Sequence, residues 1–203
     1  MKQTIVLCFA RMSPPTIGHG LVVKKVLETT KKESADHIII LSKTQDKKKN
    51  PLPVDRKVFW AKKMFPGANI VAAGDKTRTF IEAAASFSGH YRKLIVVAGS
   101  DRVPEYRTLL TKYNGVAYNF DEIEVISAGE RDPDADDASG MSATKMRNAA
   151  AANDQSTFKH GVPTNFKDSE IKLLMKEIRS GMGLLTEGIS YKQLLTILSL
   201  TNG

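Results

Sequence analysis

Sulfur chemistry is scarce in this sequence: beyond methionine there is one cysteine, Cys8. A disulfide framework is excluded, as are metal sites built on thiolates, and a reducing, cytoplasmic setting fits. No apolar run is long enough to cross a bilayer, and the N-terminus lacks the signal-peptide pattern. No membrane partner is therefore expected. Internal repeats and low-complexity linkers are also missing. Acidic residues are in deficit, 22 against 30 lysines and arginines, which leaves a formal net charge of +8. A basic surface favours anionic partners: phosphates, nucleotides or nucleic acid.

What is present is a globular composition, 41% hydrophobic and 26% charged over 203 residues. That suffices for a packed core and suggests one main domain. Apolar runs at 4–10, 37–42, 68–73, 93–101 and 122–128 read as strands, the first two as buried ones. Between them, helical spacing recurs over 18–32, 54–65, 77–87 and 104–113. Helices follow at 142–152, with Ser142 as its N-cap, and from 168 to 179, capped by Asp168 or Ser169. A short amphipathic helix is expected over 188–200. Strand and helix alternate five times, which predicts an α/β fold with a parallel sheet and helices on both faces. In such sheets a ligand sits beyond the carboxyl ends of the strands, at the point where strand order reverses.

Strand ends are therefore the places to inspect. After the first strand comes "SPPTIGHG", Ser13 to Gly20. Two prolines shape the turn by fixing φ, Gly18 permits close backbone approach, and His19 falls at a helix start. Unpaired N–H groups and partial positive charge collect there, which suits a phosphate. After the fifth strand an acidic loop leads to "GMSATKMR". Ser142 and Thr144 place hydroxyls at a second helix start, and Arg147 lies within its first turns. Taken singly, each reads as an ordinary cap. Two phosphate-ready helix starts at one end of one sheet point to an anion site.

"FARMSPPTIGH" resembles the first signature of the nucleotidylyltransferase superfamily, where Gly/Ala-x-Phe-x-Pro continues into His/Thr-x-Gly-His. "MSATKMR" is similar to its second signature, Ile-Ser-Ser-Thr-x-x-Arg. The resemblance covers roughly Lys2 to Ala152. It implies a Rossmann-like, doubly wound, five-stranded parallel sheet in residues 1–155, with a helical C-terminal extension in 156–203. It further implies transfer of a nucleoside monophosphate from a triphosphate to a phosphorylated small molecule, with release of pyrophosphate. Such a reaction needs neither a covalent intermediate nor a general base; positioning and charge stabilisation carry it.

By the same resemblance, His19 donates to the α-phosphate while Thr16 helps hold the β- and γ-phosphates. Ser142, Thr144 and Arg147 bind the leaving pyrophosphate. Phe9, Ala10, Arg11, Gly18 and Ala143 line the nucleotide. After the second strand, a lysine of "SKTQDKKKN" meets the acceptor phosphate; Lys43 ranks first and Lys49 second, the others reading as a solvated loop. After the fourth strand, Gly99 admits the nucleotide, and Asp101 or Arg102 contacts ribose or base, with an N-cap role for Asp101 equally open. Trp60 falls in an apolar helical pattern and is expected in the core. Mg2+ is implied by the triphosphate and would be held mainly by phosphate oxygens, with no protein metal site. The acidic run Asp132, Asp134, Asp136 and Asp137 reads as a mobile loop or lid rather than a metal site.

Arg147 follows Thr144 by three residues, as in the ATP-using branches, so ATP is favoured over CTP. Nicotinamide mononucleotide and phosphopantetheine lead as acceptors, with a CTP-dependent enzyme of alcohol or sugar phosphates as the alternative. From other classes, a nucleic-acid-binding or assembly protein on the same fold fits the charge. The lack of an aromatic-rich sheet face argues against nucleic acid. A homo-oligomer is left open.

Overall fold

The computed structural model describes residues 3–129 and 141–185. The acidic run at 132–137 and the helix expected over 188–200 lie outside these residues. Five strands form one parallel sheet: β1 (Thr4–Ala10), β2 (Asp36–Leu41), β3 (Ile70–Ala72), β4 (Lys93–Ala98) and β5 (Glu122–Ser127). Their order is β3-β2-β1-β4-β5, so β1 is central and the order reverses between β1 and β4. In register, Ala10 lies beside Leu41, and Ala98 beside Ser127. The α/β class and the five parallel strands with helices on both faces match the expectation; the strand order is a finding of the structure.

The helices α1 (Gly20–Lys32) and α2 (Val54–Met64) cover one face. There Val23, Val26 and Ala61 pack on Val6, Cys8, Ile39 and Val97. On the other face lie α3 (Phe80–Ala85) and α4 (Val103–Tyr113), with Phe80, Ala83 and Leu110 against Leu7, Leu94 and Val96. Alternating residues of β1 and β4 thus feed opposite cores, and burial on both sides explains their unbroken apolar runs. The rings of Phe80 and Tyr106 stack at 3.9 Å between α3 and α4.

A third core lies beyond the sheet. It joins Trp60 and Met64 of α2 to α5 (Ala143–Ala151), α6 (Gln155–Lys159) and α7 (Asp168–Gly181). Trp60 is 1% exposed, in the core as its pattern predicts. Its Nε1–H donates to Glu177 at 2.7 Å, and Arg56 donates to the other carboxylate oxygen at 2.6 Å.

Boundaries shift where side chains compete with the expected pattern. The helix expected over 77–87 contracts to Phe80–Ala85 because Thr79 and Glu82 form a reciprocal cap. The strand expected over 68–73 shortens to three residues. The fourth strand stops at Ala98, and Ser100–Arg102 turn as a short 3₁₀ helix. In α7, neither Asp168 nor Ser169 is the cap. Lys167 occupies that position and its N–H donates to Glu170 at 2.9 Å. Among the described residues no helix is long and apolar enough to cross a membrane.

Candidate functional site

Two segments far apart in sequence meet at the carboxyl end of β1. The first runs from Arg11 to His19 and ends in a 3₁₀ turn, Ile17–His19. Thr16 is fully buried, and its hydroxyl donates to the Met141 carbonyl at 3.0 Å. In the opposite sense, Arg147 donates through Nη1 to the Ser13 carbonyl at 2.8 Å. Its Nη2 donates to Thr144 Oγ1 at 3.0 Å. The expected phosphate-binding motifs are thus cross-linked on the same side of the molecule. A third strut comes from the end of α6, where the Gly161 carbonyl accepts the N–H of Ile17 at 2.9 Å. A Cβ at Gly161 would collide with the Met146 side chain. Glycine there lets the α6 end approach α5 and the 3₁₀ turn together.

His19 is oriented by its own turn. Its Nδ1 accepts the N–H of Thr16 at 3.0 Å. The neutral ring therefore carries its proton on Nε2, the nitrogen away from Thr16. An imidazole fixed in this way is an Nε2–H donor. Arg147 is half-buried, and burial draws its pKa below the ordinary arginine value. The Asp46 carboxylate counters this and the Arg11 guanidinium adds to it. Arg11, Asp46 and Arg147 therefore share one electrostatic neighbourhood.

The other residues singled out at the strand ends have partners of their own. Ser142 caps α5, accepting the N–H of Lys145 at 2.9 Å, and Ala143 opens the helix. Gly18 is buried in the 3₁₀ turn, and Ala10 accepts the N–H of Ser42 at 2.9 Å. Phe9 faces the α3 side, its ring 6.5 Å from Phe80. Gly99 caps the 3₁₀ turn after β4, where a Cβ would come within 2.8 Å of Asp101. Asp101 does not cap α4; that position belongs to Arg102, and the Asp101 carboxylate is exposed. Arg102 is paired with Glu105 at 2.8 Å. Lys43 is exposed, 3.4 Å from Asp75, an open ion pair of little energetic weight. Lys49 is exposed as well.

Two residues of this region escape the sequence reading. Asp46 ties the turn after β2 by accepting the N–H groups of Lys48 and Lys49 and the side-chain amide of Asn50. These bonds, Lys49's foremost, hold its pKa at about 2. Lys57 is fully buried, and its ammonium donates to the carbonyls of Ser42 at 3.1 Å and Thr44 at 2.6 Å. Its signal was positional: Lys57 stands on the inward stripe of α2 with Trp60, Ala61 and Met64. A lysine on such a stripe needs acceptors. Among the described residues, no group of three or more histidine, cysteine, aspartate or glutamate side chains is placed to hold a metal ion.

No protein-family model and no curated protein sequence matches the chain. Among solved structures, the chain is similar to Thermotoga maritima TmcAL, in a crystal form bound with alpha-thio ATP. The TM-score is 0.52 and the identity 11%, over 88% of this chain and 57% of that one. At this identity the likeness is one of fold. The chain spans somewhat more than half the length of that neighbour.

Proposed function

We propose that this protein transfers AMP from ATP to a phosphorylated small molecule, of the nicotinamide mononucleotide or phosphopantetheine type, releasing pyrophosphate. The observation that carries this reading is the reciprocal cross-link: Thr16 to Met141 and Arg147 to Ser13. It sets an oriented imidazole and a half-buried guanidinium around the strand-order switch, where α/β sheets bind ligands. That a protein of similar fold binds alpha-thio ATP agrees with the reading.

In the proposed reaction an oxygen of the acceptor phosphate bonds to the α-phosphorus, and the bond from that phosphorus to the bridging oxygen breaks. Pyrophosphate leaves with the electron pair. Nε2–H of His19 donates to an α-phosphate oxygen as charge grows there. Arg147, with the hydroxyls of Ser142 and Thr144 and the first N–H groups of α5, meets the departing phosphates. The acceptor is already an anion, so no side chain need take its proton. Mg2+ would neutralise charge on the triphosphate. It would be held mainly by phosphate oxygens.

The test is a matrix of ATP, CTP, GTP and UTP against phosphorylated acceptors, scored by pyrophosphate release. ATP with one acceptor should stand out. His19→Ala should lower that turnover by about 100- to 1,000-fold, the worth of one preorganised donor, with an unchanged circular dichroism spectrum. Near-wild-type turnover in His19→Ala removes the imidazole from the mechanism. No release with any pair removes the reaction.

A further inference from the structure

The two carbonyls that Lys57 grips belong to the residues on either side of Lys43. Ser42 is buried, whereas Lys43 and Thr44 are exposed, so the chain surfaces from the sheet at this point. A side chain rooted in α2 spans from the helix to the end of β2 and holds the backbone where it emerges. We propose that Lys57 is a positioning residue of the acceptor site: its buried ammonium fixes the backbone on both sides of Lys43 and so sets where that lysine presents its charge. The role of Lys43 toward an acceptor phosphate rests on the function proposed above; the clamp itself does not.

A neutral apolar side chain of the same length would be easier to bury at this position. The ammonium is kept at a cost, and the two charge-assisted bonds are what it supplies. The charged groups that face it are Asp46, on the segment it clamps, and Arg11, from the segment after β1. Asp46 favours the ammonium and Arg11 opposes it, but burial dominates and brings the Lys57 pKa down to about 8. Asp46 stays ionised throughout the neutral and alkaline range. The clamp therefore weakens from about pH 8 upward, as the ammonium becomes an amine with weaker donors and no charge.

Two arms test this. In the ligand-free protein, the amide resonances of Ser42, Lys43 and Thr44 should titrate together with a midpoint near pH 8, and Lys57→Met should abolish that titration. With the acceptor found in the matrix, Lys57→Met should raise the acceptor KM about tenfold while leaving the KM for ATP unchanged. Lys57→Arg should restore most of the loss and carry it beyond pH 9. A general packing defect would move both KM values and would not be rescued by arginine. If no acceptor exists, inorganic phosphate binding to wild type, Lys57→Met and Lys57→Arg replaces the second arm, so failure of the proposed reaction leaves the clamp testable. Amides at 42–44 that stay fixed from pH 7 to 9.5 in the wild type overturn the proposal, even should Lys57→Met fail to fold. So does an unchanged acceptor KM, or unchanged phosphate affinity, in a folded Lys57→Met.

Discussion

Glu177 is a carboxylate buried to 5% exposure, gripped on one oxygen by Arg56 and on the other by the Trp60 indole. The Arg56 guanidinium also lies 4.3 Å from the Phe59 ring centre. Removing the carboxylate strands a buried cation and a buried N–H at once. Glu177→Leu should therefore lower stability by about 3–5 kcal/mol, read by urea unfolding, whereas Trp60→Phe should cost much less because the Arg56 pair remains. Lys57 makes the opposite prediction. Its pKa in the folded chain, about 8, lies below the ordinary lysine value of 10.5. Between those values the unfolded chain binds more protons, so stability rises with pH. The rise amounts to about 3 kcal/mol. Lys57→Met should lose this rise and match or exceed the wild type at pH 7. A flat difference between the two proteins from pH 7 to 10.5 would contradict it.

At the scale of elements, what the sequence made legible and what it hid divide by range. The buried runs of β1, β2 and β4 stand out because both faces of each strand are covered, and the Ser142 cap because its partner is three residues away. By contrast α6 has five residues and one buried side chain, Phe158, so no period exists to detect. The contraction of α3 follows from a cap whose two halves, Thr79 and Glu82, were both in view but lay inside an apolar pattern. The motif residues Thr16, His19 and Arg147 could be picked as candidates from the strand-end segments, yet the carbonyls that Thr16 and Arg147 grip could not. Ser13 and Met141 become acceptors only when α5 is laid beside the first loop. Lys57 was masked for the same reason, as its acceptors belong to another element. Two variants probe the elements directly. Ser142→Ala should cost about 1 kcal/mol through the lost cap. Gly161→Ala should cost about 1–3 kcal/mol by overpacking against Met146. The shorter Met146→Val should return part of that loss in a double-mutant cycle.

Across the whole molecule, α2 is the shared member. It packs Ala61 toward the sheet and Trp60 toward α5, α6 and α7. Trp60 is also the sole tryptophan, so its fluorescence reports on the helical layer, while far-ultraviolet dichroism reports on sheet and helices together. Because one helix belongs to both cores, the two signals should share a single urea midpoint. A fluorescence transition well below the dichroism transition would mean that the layer melts first. The bonds between the first loop and α5 add a temporal consequence. They join residues 125 and 134 positions apart, and each segment supplies one donor and one acceptor to the other. Neither bond can form until nearly two-thirds of the chain separates its two ends in synthesis. Closing so long a loop before the strands align would carry a heavy entropic toll. A nascent chain cut short before residue 141 would hold the residues of all five strands but lack the ones that complete these two bonds.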